Sequence, residues 1–444
     1  MTDLNQLIEL IDEEDIRYIA LQVVDLLGKL KMLWIPAEEL PKAFEQGIGV
    51  DGSALRFVSI SKSDLVLKPD LNSFRVYPWS RYGYRVAGVM CDLYYPDTLE
   101  GFEGAPRRIL KRAIAHLKAQ LGDEIDFYVS FEPEFFLFTP QDSGDQPVKL
   151  HDSGSYFSPP PLDKGYDLRE EICESLRFMG IQVVKSHHEV PPGKHEINIK
   201  YSEALSMADT LQFLKTTVKK LASDRGFIAS FMPKPFHGQY GAGMHTHLSL
   251  LKANGEINLF YSADAPDGLS DLGRYFIGGL LKHAKALAAI TNPTVNSYKR
   301  LLPGWEAPVY IVWSRYNRSA LLRIPFSSPS STRLEYRPTD GSCNPYLALA
   351  ALLEAGLDGI REEVAPPPPV EEDVYHLSNT ELERRNIQVL PANLQEALTE
   401  LENDEVIKKA IEPATEAYLA LKKREWEAYT MQVHDWEREQ YLDV

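Results

Sequence analysis

Three short segments of this 444-residue chain alternate charged or histidine side chains with apolar ones. In an extended strand, residues two apart project from the same side. Phe131-Glu132-Pro133-Glu134 therefore sets two carboxylates on one face, and Phe135 to Phe138 continue the strand with apolar residues. By the same rule, His245, His247 and Ser249 share a face in M-H-T-H-L-S, as do Arg333, Glu335 and Arg337 in R-L-E-Y-R. An enclosed strand accommodates such groups only where they meet charged partners. If the three strands are neighbours, they form a polar floor of carboxylates, imidazoles and guanidiniums. A fourth segment, His187-His188-Glu189, is followed across a Pro-Pro-Gly turn by His195-Glu196, which brings Glu189 and Glu196 close together.

Oxygen donors with an occasional imidazole suit magnesium or manganese, and the guanidinium fork matches phosphate or carboxylate. Metal, phosphate and carboxylate together point to phosphoryl transfer onto a carboxylic acid. Each segment alone has a plainer reading: E-x-E as a solvated edge, R-x-E-x-R as a surface ion-pair ladder, His245 as a satisfied core histidine. Their joint occurrence beside strongly apolar residues favours the site. No G-x-x-x-x-G-K-[ST] loop is present, so ATP is not held in the P-loop manner, and no G-x-S-x-G elbow marks a serine hydrolase. The glycines around Gly241 let a small ligand approach the backbone closely.

The acidic balance, net charge −17, argues against a nucleic-acid partner and fits cation binding. Cys91, Cys173 and Cys343 lie far apart without C-x-x-C spacing, as in a reducing compartment. The N-terminus lacks a signal-peptide pattern, and no apolar run is long enough to span a bilayer, so the expected location is cytoplasmic. Periodicity predicts a small sheet-rich domain over 1–104, with a hairpin at Ile16 to Val24 and Lys29 to Ile35. A larger α+β domain follows over 105–444, a curved sheet backed by helices. Single helices are predicted over Asp271 to Ile290 and Pro413 to Tyr441, and strands at Val309 to Trp313 and Thr332 to Arg337.

These motifs, with V-D-G-S, S-H-H-E-V, F-M-P-K-P, N-P-T-V-N-S-Y-K-R-L, P-G-W-E-A-P, N-R-S-A-L-L-R-I-P and N-P-Y-L-A-L in order, resemble class I glutamine synthetase over nearly the full length. The resemblance implies an N-terminal β-grasp domain, a catalytic α+β domain with a curved antiparallel sheet, and a homo-dodecamer of two stacked hexamers. Active sites lie between neighbouring subunits, and the C-terminal helix reaches the opposite ring. It implies ATP-dependent ligation of ammonia to the γ-carboxylate of L-glutamate through γ-glutamyl phosphate. One Mg2+ or Mn2+ is expected on Glu134, Glu189 and Glu196, and a second on Glu132, His245 and Glu335. Arg323 and Arg333 face ATP phosphates, and His247, Ser249 and a stacking Tyr201 face the nucleotide. Arg300, Arg337 and the Gly241 backbone bind glutamate. Arg318 stabilises the transferring phosphoryl group. Asp51 of a neighbouring subunit deprotonates ammonium beside Tyr156, and Glu306 closes a flap over the intermediate.

Departures from the family pattern concern the nitrogen donor. D-G-S-A-L-R-F is one residue shorter than the usual loop and puts Ala54 where a serine lines the ammonium pocket. Ser59 replaces a regulatory arginine, Tyr240 an asparagine and Trp305 a tyrosine, and T-D-G-S-C-N-P-Y stands for D-P-A-A-N-P-Y. A γ-glutamyl-amide synthetase using a primary alkylamine or polyamine is thus the first alternative, and an inactive regulatory homologue the second. Tyr375 lies where some relatives are adenylylated, but its surroundings differ and adenylylation is not expected.

Overall fold

The computed structural model describes residues 3–58, 60, 63–80, 82–140, 148–252, 255–305 and 307–444. Among the described residues, six strands make the smaller sheet: β1 (Ile16–Val24), β2 (Leu30–Pro36), β3 (Ile48–Asp51), β4 (Asp64–Pro69), β5 (Arg75–Val76) and β6 (Arg85–Tyr94). Their order is β2-β1-β6-β4-β3, with β5 also on β6; β1 and β6 run parallel and the other pairs antiparallel. Helix Leu4–Glu13 turns Leu7 and Ile11 onto this sheet, whose own core includes Ile19, Leu21, Leu67 and Val89. In the β1–β2 turn the Asp25 carboxylate accepts from the N–H groups of Leu27 and Lys29 at 3.0 and 2.9 Å. Gly28 there has φ +83°, and a Cβ on it would lie 2.9 Å from Asn344 Cα. Only glycine fits such a turn so close to another backbone. Asn344 answers by donating to Asp25 O at 3.1 Å, which fastens the hairpin to the start of helix Pro345–Arg361.

The larger sheet is built of β7 (Ile125–Pro140), β8 (Val148–Leu150), β9 (Val183–His188), β10 (Lys194–Ile199), β11 (Ser202–Glu203), β12 (Ile228–Ser230), β13 (Met244–Lys252), β14 (Ile257–Asn258), β15 (Trp313–Ser314), β16 (Leu322–Arg323) and β17 (Leu334–Tyr336). It curls in the order β15-β16-β17-β13-β7-β10-β9 and is antiparallel except at β15–β16. The fold is therefore α+β, as the sequence predicts. β7 is the spine: β13 pairs with its first nine residues, and β10 takes the other edge at Glu134 to Phe136. Helices Pro106–Leu121, Ala204–Asp224, Asp271–Lys282 and Pro345–Arg361 pack behind, and their apolar side chains share one core with Phe127, Phe131 and Phe135. Among the described residues no helix is long and apolar enough to cross a membrane.

Arg107 joins the two sheets. Its guanidinium donates to Asp70 at 2.7 Å, Asp92 at 2.8 Å and Asp209 at 3.1 and 2.9 Å. Asp70 and Asp92 come from the smaller sheet's side and Asp209 from helix Ala204–Asp224. Burial lowers the arginine's pKa, but the carboxylates more than reverse that, so it stays charged.

Several elements differ from the periodicity. The helix predicted over 271–290 is broken at His283 (φ −96°, ψ 5°) into Asp271–Lys282 and Ala284–Thr291. His283 is buried with its ring nitrogens 2.6 Å from Asp404 and 2.9 Å from Asp358, a geometry that outweighs local helix propensity. The C-terminal helix likewise divides into Thr415–Thr430 and Asp435–Tyr441. The strand expected at Val309 to Trp313 keeps only β15, with one isolated bridge from Tyr310 to Val389.

Candidate active site

The strand register assembles the floor. His245 pairs with Glu132, His247 with Glu335, and Glu335 with Arg323; on the other side Glu196 pairs with both Glu134 and His187. The alternating residues of six neighbouring strands thus meet over one cavity of about 670 Å³, which Glu132, Glu134, Glu189, Glu196, His245 and Glu335 line.

Glu335 sits 1% exposed between two arginines. Arg323 donates to one oxygen at 2.7 Å and Arg337 to the other at 2.9 Å. Burial pushes its carboxyl up, but Arg337, the histidines and Arg323 bring it down to about 2. His245 Nδ1 lies 3.2 Å from Glu132 and 3.6 Å from Glu335. Burial, then Arg337, lowers the His245 pKa, which leaves the imidazole neutral with a lone pair for a metal. Burial pushes the half-buried Glu132 up, yet hydrogen bonds from His245 and His247 hold it far below the usual carboxylate range. Ligand atoms of Glu132, His245 and Glu335 lie within 4.8 Å of one another. Two ionised carboxylates and a neutral imidazole form a donor set that fits a divalent cation.

The opposite side is built differently. Burial followed by Glu132, Glu134 and Glu189 raises the Glu196 pKa well above its ordinary value. Its ligand atoms converge with those of His187 and Glu189 within 4.8 Å. Glu134 is not in that group: Lys194 Nζ donates to its Oε2 at 2.7 Å, and Gly243 N–H donates to the same oxygen at 3.0 Å. Burial raises the Glu134 carboxyl, and Lys194, then His245, reverse this to about 2.

A second cavity of about 510 Å³ adjoins the first and shares Glu132 and Lys185 with it. Tyr201, His247, Ser249 and Arg333 line it together with apolar Val129, Val184 and Leu251, a volume and mixture suited to a small organic ligand. Tyr201 is half exposed and meets Tyr128 edge-on at 5.9 Å. Arg333 Nε donates to His247 Nδ1 at 3.2 Å, and Ser249 Oγ donates to Thr332 O at 3.1 Å.

The model of the glutamine synthetase catalytic domain matches residues 103–441, and that of the glutamine synthetase β-grasp domain matches 15–96. The chain belongs to the glutamine synthetase family. It is 47% identical to a glutamine synthetase of Thermotoga maritima over 435 residues, covering 98% of each chain. Against that of Methanosarcina mazei it is 44% identical over 445 residues, covering 100% of this chain and 98% of the relative. A solved structure titled "GmaS/ADP complex-Conformation 1" superposes with TM-score 0.89 at 34% identity over 100% of both chains.

Within this glutamine synthetase fold, the remaining predicted residues are distributed unevenly. Arg300, Arg318, Tyr156 and Gly241 all line the larger cavity. Arg300 is buried and donates to Pro338 O at 2.6 Å and Arg337 O at 3.2 Å, whereas Arg318 is exposed at the rim. A Cβ on Gly241 would lie 2.4 Å from Pro233 O, so only glycine lets this segment pass so close. Tyr240 and Trp305 meet edge-on at 5.8 Å, and Lys234 Nζ lies 4.3 Å from the Trp305 ring centre. Asp51 and Ala54 are exposed on the smaller domain and do not line this chain's own cavity. Hydrogen bonds from Ser53 lower the Asp51 pKa. Glu306 and Ser59 lie outside the described residues.

Lys185, His187, Lys194 and Asn198 also line these cavities, and sequence analysis assigned them no role. The same period-two rule reaches them: Lys185, His187 and Glu189 alternate, as do Lys194, Glu196 and Asn198. Asn198 donates to Glu132 at 3.1 Å.

Proposed function

We propose that this chain joins ammonia to the γ-carboxylate of L-glutamate at the expense of ATP, by way of γ-glutamyl phosphate. The observation that carries this reading is the Glu132, His245 and Glu335 cluster, set where a nucleoside-sized cavity meets an arginine-rich one. The adenosine end of ATP lies against Tyr201, Ser249 and His247, with its phosphates directed at Arg323 and Arg333. Glu132, His245 and Glu335 would hold magnesium or manganese there; Glu189 and Glu196 would hold a second ion on the glutamate side. Such cations supply charge neutralisation to the phosphates and the developing negative charge.

The chain's residues organise the two chemical steps. Arg300, Arg337 and the Gly241 backbone orient glutamate so that a γ-carboxylate oxygen attacks the γ-phosphorus in line. The bond from that phosphorus to the β–γ bridging oxygen breaks, and ADP leaves. Arg318, at the rim, faces the charge spread over the transferring group. Ammonium then loses a proton to Asp51 of a neighbouring subunit in the double-ring dodecamer, which accords with that carboxylate's exposure. The ammonia nitrogen attacks the acyl carbon, the C–O bond to phosphate breaks, the departing phosphate takes up the proton the nitrogen sheds, and glutamine and hydrogen phosphate form. Tyr156 borders the acceptor end, and Tyr240 and Trp305 shield the acyl phosphate from water. Phosphate release with ATP, glutamate and a panel of ammonia, alkylamines and polyamines tests the reading. Ammonia is expected to saturate; negligible turnover with ammonia beside saturation by an alkylamine would replace the acceptor.

A further inference from the structure

The wall on the acceptor side of the larger cavity is seated on Pro233 and Lys234, neither of which lines the cavity. Ala242 N–H donates to Pro233 O at 2.8 Å, and the Lys234 ammonium donates to Gln239 O. These two bonds bracket Tyr240 and Gly241, which do line it. The same ammonium lies 4.3 Å from the ring centre of Trp305, which meets Tyr240 edge-on at 5.8 Å. One cation thus holds both aromatic segments of the wall from behind. Lys234 is held in turn: its N–H donates to Asn296 Oδ1 at 2.8 Å, and Asn296 Nδ2 donates back to its carbonyl at 2.9 Å. Asn296 directly precedes helix Ser297–Arg300, whose Arg300 lies in the same cavity. Lys234 is buried, and burial alone lowers its pKa, with no carboxylate acting on it among the described residues. A buried ammonium met by a carbonyl and an aromatic face is a costly choice for architecture alone.

We propose that Lys234 is a positioning residue for the acyl-transfer step, pinning Tyr240 and Trp305 so that γ-glutamyl phosphate meets the amine and not water. This deepens the ligase reading and rests on it for the identity of the intermediate. Water that reaches the intermediate attacks the acyl carbon, the C–O bond to phosphate breaks, and glutamate, hydrogen phosphate and a proton form. ATP is then hydrolysed without an amide. Because Asn296 grips only the backbone of Lys234, a change in the lysine side chain leaves the Arg300 helix in place. The adenosine end of ATP, bound in the adjoining cavity against Tyr201 and Ser249, is likewise remote from this contact.

The ratio of ADP released to amide formed tests this, measured on the full-length protein with Mg2+, saturating ATP and glutamate, and its best acceptor amine. The wild type is expected to form ADP and amide in equal amounts. In Lys234→Met the ratio rises at least about threefold while KM for ATP stays within about twofold. An unchanged ratio overturns the proposal, as does a KM for ATP that rises in step with the ratio, the mark of a merely structural role. Should Lys234→Met fail to fold, Lys234→Gln, which keeps an N–H donor for Gln239 O and loses the charge, is read by the same ratio. A wild type that forms no amide counts against the ligase reading alone. Acrylamide quenching of Trp305, taken as the difference between each protein and its Trp305→Phe counterpart, then decides without turnover. Quenching at least about twofold greater in Lys234→Met supports the pinning, and equal quenching overturns it.

Discussion

Two regions of this molecule bury several carboxylates together, and they solve the electrostatic problem in opposite ways. At the domain junction, Asp70, Asp92 and Asp209 surround Arg107, and Lys111 adds a second cation beside Asp92. Each carboxylate there has a direct ion-pair partner. On the floor of the larger cavity, Glu335 is similarly paired with two arginines, but Glu196 has only the half-exposed Lys185 at 3.3 Å and His187 at 3.9 Å against three neighbouring carboxylates, which with burial raise its pKa. The floor opens on a cavity of about 670 Å³. At the junction buried charge therefore serves architecture, whereas on the floor carboxylates crowd one another beside a cavity, a setting that attracts a cationic ligand.

The comparison breaks most sharply at Glu335. Glu335→Ala removes a cation ligand and strands Arg323 and Arg337, so glutamate-dependent phosphate release is expected to fall by on the order of 10³-fold. Near-normal release would remove the cation role from that cluster. Arg107→Met tests the other region: Asp209 loses its ion-pair partner, Asp70 and Asp92 keep only Lys111, and urea denaturation should show a stability loss of about 3–5 kcal/mol. At low temperature the folded enzyme should keep its turnover within about twofold. Lost turnover with intact stability would make the junction functional after all.

A smaller effect lies in the pH dependence of the metal-free protein. A carboxyl whose folded pKa exceeds its unfolded value, ~4.3 for glutamate, stabilises the fold at low pH and loses that contribution as pH rises through the folded value. Glu196 is such a group, whereas Glu134 and Glu335, both brought to about 2, lose their contribution only as pH falls below the ordinary carboxylate range. Above pH ~5 the metal-free melting temperature should therefore decline more steeply in the wild type than in Glu196→Gln. Added Mn2+ should flatten the wild-type curve, and identical slopes in the two proteins would contradict the assignment. The smallest change is expected for Tyr201→Ala, which loses a stacking surface: KM for ATP rises roughly 3- to 10-fold with kcat unchanged.

How far the sequence was readable follows from the same physics. Alternation in β7, β13 and β17 exposed the floor because three segments together set charged groups between phenylalanines and leucines, where each alone had a plainer reading. The register that pairs His245 with Glu132 and His247 with Glu335 followed once those strands were neighbours. Lys194 was less visible, since a lysine beside a turn reads as solvated until the fold places it against Glu134. Helix Pro345–Arg361 has so many buried positions that it offers no amphipathic period to detect. His283 broke a helix through its contacts with Asp358 and Asp404, partners 75 and 121 residues away. The exposed Asp51 had a role only through the family resemblance, because among the described residues it is not part of its own chain's cavity lining.

Activation of glutamate by phosphoryl transfer to its γ-carboxylate leaves an isotopic trace in the released phosphate. Glutamate labelled with 18O in that carboxylate, incubated with ATP, a divalent cation and ammonia, tests it directly. Attack by the carboxylate and later release of phosphate carry one labelled oxygen into each inorganic phosphate, a shift readable by mass spectrometry. Phosphate released without label would contradict the account.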